Sequence, residues 1–202
     1  GSIDGVERIR YTTSHPLDMT DDLIEVYGHV PQLVSHLHLP VQSGSNTILT
    51  RMKRNYSREL YIDVIEKLKL VRPNIKVSSD FIVGFPGETD ADFQQTMDLI
   101  EEVQFDASFS FIYSARPGTP ASKLQDVTAL AEKKERLNIL QNRIDELQTF
   151  YSDALAGTIQ RCLVTGISRK NIKQLQARTE CNRVVNFDFQ NINILGKLVD
   201  IN

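Results

Sequence analysis

Hydrophobic and polar residues alternate in four short stretches in the first half of the chain, and each stretch is followed by a polar loop. In His36–Val41, the apolar residues Leu37 and Leu39 alternate with histidines and a proline, which is the period of a β-strand. The other alternating stretches are Arg8–Thr13, Ile75–Val83 and Ala107–Tyr113. The pattern therefore predicts four strands.

Helical periods separate these strands. Thr20–Tyr27 predicts a short helix that Gly28 can stop, and Ser57 is a candidate N-cap for a second helix that ends before Pro73. Thr89–Asp92 resembles a capping box at the start of a third helix. Since strand–helix–strand crossovers join parallel strands, we expect an α/β fold, either an open parallel sheet or part of a parallel (β/α) barrel.

The second half of the chain has a different pattern. Thr128–Ala156 has the apolar spacing of one long helix, which Gly157 would end. This helix could pack along the sheet domain or pair in a coiled coil. Four alternating runs separated by turn residues follow it: Ile159–Val164, Leu175–Thr179, Arg183–Phe187 and Leu198–Ile201. We expect two domains, the first over residues 1–156 and a small all-β domain over residues 157–202.

Composition restricts the possible partners. The net charge of the 202 residues is −3, so binding to a nucleic acid would have to come from a local basic patch. No apolar run approaches the roughly 20 residues of a membrane span, and no signal peptide is visible. Cys162 and Cys181 form no CxxC pair. These features predict a reduced cytoplasmic protein with incidental thiols and no membrane partner.

The loops after the predicted strands carry polar side chains that we expect at one mouth of the sheet, where α/β proteins bind ligands. These side chains are Ser14, His15, Gln42, Ser43, Glu88 and Arg116. Gly44 can supply a positive φ in its loop, and either Ser45 or Asn46 can cap the next helix. Asp80 lies inside a strand, where a carboxylate needs a partner. Each residue taken alone could equally be a loop cap or a solvated side chain.

Two further clusters, one of histidines and one of basic residues, raise the question of a metal site and of a phosphate-binding surface, respectively. His15, His36 and His38 have no nearby acidic or cysteine partner, so we expect no metal site. A basic cluster in the β domain is suited to phosphate contacts, although it could also be an ordinary charged surface. Its members are Arg169, Lys170, Lys173, Arg178 and Arg183.

Several long motifs together resemble the radical-SAM tRNA methylthiotransferases of the MiaB type. These motifs occupy Tyr11–Pro16, His36–Arg54, Ser78–Phe93, Phe109–Ala121 and Arg178–Phe187. The resemblance implies the second half of a radical-SAM partial barrel, strands three to six, followed by a TRAM domain that is truncated at its end. It also implies that the CxxxCxxC motif and the N-terminal domain lie upstream.

The resemblance implies methylthiolation of the adenosine next to the tRNA anticodon, with S-adenosylmethionine (SAM) and two 4Fe-4S clusters in the parent enzyme. Because this chain lacks the cluster-binding cysteines, we expect it to be inactive alone. From their positions at strand ends, the residues expected to bind SAM are Gln42, Ser43, Asp80, Tyr113 and Arg116. For tRNA we expect Arg169, Lys170, Arg178 and Arg183.

Two alternatives stay open at this point. One is the related enzyme that methylthiolates an aspartate of a ribosomal protein, and the other is a module that only binds RNA. The segment Arg178–Phe187 resembles the tRNA branch and favours a tRNA substrate. An unpaired edge of the predicted parallel sheet would favour self-association.

Overall fold

The computed structural model describes residues 3–13, 15–188 and 192–202. Its helices are α1 (Asp21–His29), α2 (Asn46–Arg51), α3 (Arg58–Val71), α4 (Asp90–Val103) and α5 (Leu130–Asp153), and its strands are β1 (His36–His38), β2 (Lys76–Val83), β3 (Ala107–Ile112), β4 (Gln160–Ile167), β5 (Gln174–Arg178), β6 (Val184–Asp188) and β7 (Leu198–Ile201). Short 3₁₀ turns occupy Pro16–Asp18, Pro120–Lys123 and Ile192–Ile194. Ser14, predicted at the mouth of the sheet, lies outside the described residues.

The first three strands form a parallel sheet in the order β1-β2-β3. The predicted parallel α/β architecture is therefore confirmed. The expected strand Arg8–Thr13 is wrong as a regular strand, because this segment makes only two isolated parallel bridges, from Ile9 to Leu33 and from Thr12 to His38. Between these bridges lies Arg10, whose guanidinium donates to the carbonyl of Glu180, beyond the end of β5.

The core lies between this sheet and its helices. Leu37, Leu39 and Val41 are fully buried, as the alternation of the first motif predicts. The helix starts are also close to those predicted from sequence. Ser45 caps α2 and Ser57 caps α3, each accepting a hydrogen bond from a backbone N–H inside its helix. The expected capping box of α4 is present, with Thr89 and Asp92 bonded reciprocally.

Two glycine predictions are wrong. Gly28 does not end α1, which continues to His29. A Cβ at Gly28 would lie 3.4 Å from Val71 of α3, which is an ordinary van der Waals contact, so packing does not require a glycine there. The positive φ of the loop after β1 belongs to Gln42, at 73°, and not to Gly44. A Cβ on Gly44 would lie 2.4 Å from the Gln95 carbonyl oxygen, so glycine is needed there for the loop to approach α4.

The long helix α5 packs along the first sheet. Leu140, Ile144 and Leu147 belong to the same buried cluster as the residues of that sheet. The second sheet is antiparallel, in the order β6-β5-β4-β7, and its small core contains Cys162 and Leu175, both fully buried. The described residues thus contain two separate hydrophobic clusters, although the proposed division between residues 156 and 157 stays a prediction.

Candidate functional site

A cavity of about 690 Å³ lies at the carboxyl ends of β2 and β3. This volume is within the range of small-molecule sites, roughly 300–1,000 Å³. Four of the five side chains predicted to bind the cofactor line it: Gln42, Asp80, Tyr113 and Arg116. They come from three different stretches of the chain, and the parallel sheet brings them together because its strands end at one edge. Apolar wall residues include Ile82, Phe85 and Phe111.

Gln42 is fixed by the backbone of β2. Its N–H donates to the Asp80 carbonyl at 2.9 Å, and its own carbonyl accepts from the Ile82 N–H at 2.9 Å. A left-handed φ at a residue other than glycine costs on the order of 1 kcal/mol. The two backbone bonds hold the residue in this conformation at the mouth of the cavity.

Ser43 does not line the cavity. Its side chain is buried, accepts a hydrogen bond from the Ser45 N–H at 3.2 Å and lies 3.4 Å from the Thr96 hydroxyl. The Thr96 hydroxyl also accepts from the Gly44 N–H at 3.0 Å. These bonds hold the loop onto α4, behind the cavity wall, and they account for the buried hydroxyl of Ser43.

Asp80 ends a chain of polar contacts on the open face of the sheet. Arg10 Nη1 lies 2.9 Å from His36 Nδ1, and His36 Nε2 lies 3.3 Å from the Ser78 hydroxyl. Ser78 lies 3.0 Å from His38 Nδ1, and His38 Nε2 lies 3.4 Å from the Asp80 carboxylate. An arginine can only donate, so His36 accepts at Nδ1 and carries its proton on Nε2, and each further group can donate towards Asp80.

The charge state of His36 agrees with this direction. Burial, followed by the neighbouring Arg10 guanidinium, lowers the pKa of His36 from 6.5 to about 4. The imidazole is therefore neutral at pH 7, as the bond from Arg10 to its Nδ1 requires. The polar contacts thus hold the His38 ring beside the carboxylate of Asp80, which lines the cavity.

Tyr113 and Arg116 leave hydrogen-bonding groups unused. The Tyr113 hydroxyl is buried and has no partner among the described residues, while its ring packs edge-on against Phe85 at 4.8 Å between centroids. The Arg116 side chain is exposed and has no ion-pair partner in the part of the chain that the structure describes. A buried polar atom without a partner is uncommon in a native fold and is expected where a ligand supplies the partner.

Glu88, predicted at the mouth, supports the loop instead of lining the cavity. Its carboxylate is buried and accepts from the Gly84 N–H at 2.7 Å and from Arg136 Nη1 at 3.0 Å. Burial raises the pKa of Glu88, and the Gly84 N–H and Arg136 oppose this increase. The role of Arg136 was missed from sequence, because its position in α5 carries no signal for a contact with the loop after β2. His15 likewise lies off the cavity, with its ring against that of Tyr56.

The predicted RNA-binding residues fall into two groups. Arg169 and Lys170 are exposed on the turn after β4, and Arg178 bonds to the carbonyl and side chain of Asn182 on the surface. Arg183 is engaged differently: its guanidinium donates to both carboxylate oxygens of Asp106, at 2.8 and 2.9 Å. The structure therefore gives Arg183 a structural partner in the first domain and does not bring it to the surface of Arg169 and Lys170.

Other bonds join the two sheets near the same place. Arg8 donates to the carbonyls of Arg178 and Arg161, at 3.0 and 2.7 Å, and the Glu180 carboxylate accepts from the Ser35 N–H at 3.2 Å. A second cavity of about 1,060 Å³ lies between the domains, and its lining includes both Arg183 and His36. The antiparallel sheet thus docks on the end of the parallel sheet opposite the first cavity.

The described residues do not fit an iron–sulfur cluster. Such clusters are held by sets of cysteine thiolates, but Cys162 is fully buried in the core of the second sheet and Cys181 is the only other cysteine. Within the ranges described, no three His, Cys, Asp or Glu side chains converge as a metal site. No helix in those ranges is long and apolar enough to cross a membrane.

Comparison with known proteins identifies two families that match different parts of the chain. Residues 2–100 match the Radical SAM superfamily, and residues 153–202 match the TRAM domain. The fold resembles that of coproporphyrinogen III oxidase from Escherichia coli, a radical SAM enzyme, with a TM-score of 0.58 and 15% identity over 86% of this chain and 46% of that chain. At this identity the likeness concerns the fold alone.

Sequence relatives are much closer. The tRNA-2-methylthio-N(6)-dimethylallyladenosine synthases of Hahella chejuensis, Erwinia tasmaniensis and Haemophilus ducreyi are 58%, 59% and 60% identical over 99% of this chain. The chain covers only 45%, 42% and 42% of these relatives, respectively. Over nearly all of its residues the chain is therefore similar to tRNA methylthiotransferases of the radical-SAM type, and it spans less than half the length of these relatives.

Proposed function

We propose that this chain is part of a tRNA-2-methylthio-N(6)-dimethylallyladenosine synthase, a transferase that methylthiolates the adenosine next to the tRNA anticodon. The observation that carries the proposal is the convergence of Gln42, Asp80, Tyr113 and Arg116 on one cavity at the carboxyl end of the parallel sheet. SAM would bind in this cavity, and tRNA would be the macromolecular partner. A tRNA substrate also favours the cytoplasm as the location.

The donor set of the cavity suits the groups of SAM. The free guanidinium of Arg116 can bind the carboxylate of the methionine part, and Asp80 can accept from its ammonium group or from a ribose hydroxyl. Gln42 can both donate and accept, as recognition of adenine or ribose requires. The buried hydroxyl of Tyr113 would gain the partner that it lacks in the described residues. When bound, SAM supplies the methyl and deoxyadenosyl groups of the reaction.

The contribution of this chain is binding, orientation and exclusion of water. Apolar side chains, among them Phe85 and Ile82, surround the polar groups and strengthen their interactions with a bound nucleoside. The parent enzyme is proposed to hold two 4Fe-4S clusters. The described residues offer no ligand set for either cluster, so no step through a cluster is assigned to this chain.

The second sheet, formed by β4 to β7 and called here the TRAM-like sheet, is proposed to contact the RNA backbone. Arg169, Lys170 and Arg178 present their charged groups on its surface, where they can neutralise phosphates without reading sequence. Arg183 is better explained by its ion pair with Asp106. The docked position of the TRAM-like sheet would set the distance between this RNA contact and the SAM cavity.

Binding of radiolabelled SAM in equilibrium dialysis tests the cavity. The variants Arg116→Gln and Asp80→Asn each remove one charged contact, so each should weaken SAM binding about 10- to 100-fold, since such contacts contribute roughly 1.5–3 kcal/mol. Lys134→Gln is the matched control, because Lys134 is exposed on α5 and lies outside both cavities. Equal SAM affinity in all four proteins would contradict the assignment.

A mobility-shift assay tests the nature of the substrate. An RNA stem-loop with an unpaired adenosine beside its anticodon triplet should bind the chain at low salt. Preference for a ribosomal protein over this RNA would favour the aspartate methylthiotransferase. RNA binding with no SAM binding at any concentration would favour a module that acts only on RNA.

A further inference from the structure

Three cations form one wall of the SAM cavity and have no assigned role. Arg51, Lys53 and Arg54 lie at the end of α2 and in the turn after it, and all three line the cavity together with Arg116. Arg51 and Lys53 are exposed, and Arg54 is half-buried. We call this group, Arg51, Lys53 and Arg54, the rim cations.

Lys53 and Arg54 differ from several other arginines of the first half of the chain in having no counter-charge, whereas Arg51 lies near enough to the Asp92 carboxylate to interact with its charge. Arg58 pairs with Glu102, Arg136 with Glu88 and Arg143 with Glu101. In contrast, neither Lys53 nor Arg54 has a side-chain hydrogen bond or ion-pair partner anywhere in the described ranges. Their charge is therefore available to an external anion.

Lys53 occupies a position where glycine would be favoured. Helix α2 ends in a Schellman motif, in which the Lys53 N–H donates to the Thr50 carbonyl at 3.0 Å and the Arg54 N–H donates to the Leu49 carbonyl at 2.9 Å. The motif requires a left-handed residue at Lys53, whose φ is 59°. Glycine adopts this conformation without strain, whereas lysine does not. Folding therefore does not explain a lysine here, and its charge at the cavity mouth offers a functional reason.

SAM does not account for this amount of positive charge. The cofactor has one carboxylate against an ammonium and a sulfonium group, and Arg116 alone can satisfy that carboxylate. Two further cations without a counter-charge, Lys53 and Arg54, would repel from this cavity a ligand that is itself cationic. A polyanion does account for them, because each backbone phosphate of RNA can take one cation.

The cavity also has an aromatic surface suited to a nucleobase. Phe111 lines the cavity and is 55% exposed, although it lies in a strand of the central sheet. Phe109, on the same face of β3, is 64% exposed but lines the second cavity. Exposed aromatic rings beside a cationic rim are the arrangement with which proteins hold unpaired bases of RNA, by stacking the base and neutralising its flanking phosphates.

We propose that Lys53 and Arg54, supported by Arg51, bind the phosphates of the RNA nucleotides that flank the target base at the mouth of the SAM cavity. This inference rests on the proposed tRNA-modifying function and adds a second RNA contact, separate from the TRAM-like sheet. The TRAM-like contact would hold the RNA at a distance, and the rim cations would fix the nucleotides next to the reacting base.

The test uses the chain with the double substitution Lys53→Gly and Arg54→Gln, and Lys134→Gln as the control. Affinity for a fluorescently labelled RNA stem-loop is measured at several salt concentrations, and SAM affinity is measured in parallel by equilibrium dialysis. Each lost phosphate contact in a single-stranded loop removes about 0.7 from the slope of log affinity against log salt. The double variant should therefore bind the RNA roughly 25-fold more weakly at 0.1 M salt and lose about 1.4 of that slope. Its SAM affinity should not fall.

A measurement of stability separates loss of contact from loss of fold. Lys53→Gly alone should melt no lower than the wild type, because glycine suits the left-handed position, while still weakening RNA binding about fivefold at 0.1 M salt. RNA affinity and salt slope equal to those of the control would overturn the inference and leave the proposed function intact. A loss of SAM affinity in the double variant would also overturn it, since the cations would then belong to the cofactor site. Absence of RNA binding by the wild type at low salt would overturn both.

Discussion

Replacing Arg183 by methionine tests the ion pair with Asp106 that joins the second sheet to the first. Both carboxylate oxygens of Asp106 accept from this guanidinium, and the Asp106 side chain is 3% exposed. Methionine keeps the apolar stem but leaves a buried carboxylate without its counter-charge. Breaking a buried pair in this way costs about 3–5 kcal/mol. The two partners differ in how well each can be solvated or bonded alone, because the Arg183 side chain is 15% exposed and also donates to the Ser152 hydroxyl at 2.9 Å.

Because of this difference, we expect the variants to lose different amounts of unfolding free energy, measured by urea unfolding at pH 7. Asp106→Asn should cost about 1–3 kcal/mol, less than Arg183→Met, because the remaining guanidinium can turn to water and to Ser152. The double variant should be more stable than Arg183→Met alone, since no buried charge is left unpaired. Arg183→Lys should recover only part of the loss, because lysine cannot make the bidentate contact.

Two results would refute this reasoning. One is an Arg183→Met variant as stable as the wild type, which would mean that the ion pair contributes nothing to folding. The other is an Arg183→Lys variant that keeps wild-type stability although lysine cannot make the bidentate contact. If Arg183→Met keeps its stability but loses RNA affinity, Arg183 is a direct RNA contact instead. Either result can be read from the same preparation by combining urea unfolding with the mobility-shift assay.

Four further predictions follow from the site and from the chain composition. Because the pKa of His36 is about 4 in the folded chain and 6.5 in the unfolded chain, the unfolded chain takes up the proton at a higher pH. The free energy of unfolding should therefore be fully retained above pH 6.5 and fall by about 3 kcal/mol as the pH drops towards 4. His36→Gln should flatten this part of the stability profile, and profiles of the same slope for wild type and variant would contradict the assignment. Tyr113→Phe removes a buried hydroxyl without a partner, so the melting temperature without ligand should rise while SAM binding weakens; a loss of both would mean that the hydroxyl is satisfied in the free protein. Incubation with iron and sulfide should produce no 4Fe-4S absorbance, whereas a stable absorbance band would reveal a ligand set that the described residues do not offer. Light scattering should detect self-association through the open sheet edge, and a monomer at all concentrations would count against it.

Local patterns predicted the elements that depend on neighbouring residues. The capping box at Thr89 needs only residues within one helical turn, and the buried alternation of Leu37, Leu39 and Val41 is a property of the strand itself. The grouping of Gln42, Asp80 and Arg116 was also predictable, because parallel strands end at one edge.

Features that depend on distant parts of the chain were not predictable in this way. The close approach of Gly44 to the backbone of α4 exists only in the packed fold. A glycine in a loop after a strand is also typical of a positive φ, so the sequence alone led to the wrong reason for this glycine. In the sequence, Arg183 is indistinguishable from a surface cation, because its partner Asp106 comes close only when the second sheet docks on the first. The segment Arg8–Thr13 has the alternation of a strand, but its arginines bond to the second sheet and only isolated bridges form.

The cavity at the ends of β2 and β3 is the proposed SAM site, on which the other proposals depend. A titration of the isotopically labelled chain with SAM, followed by backbone amide chemical shifts, tests it most directly. The largest shifts should occur at Gln42, Asp80, Tyr113 and Arg116, with Ser43 affected less because it lies behind the cavity wall. Shifts centred on the cavity between the two domains, or no saturable shifts at all, would contradict the claim.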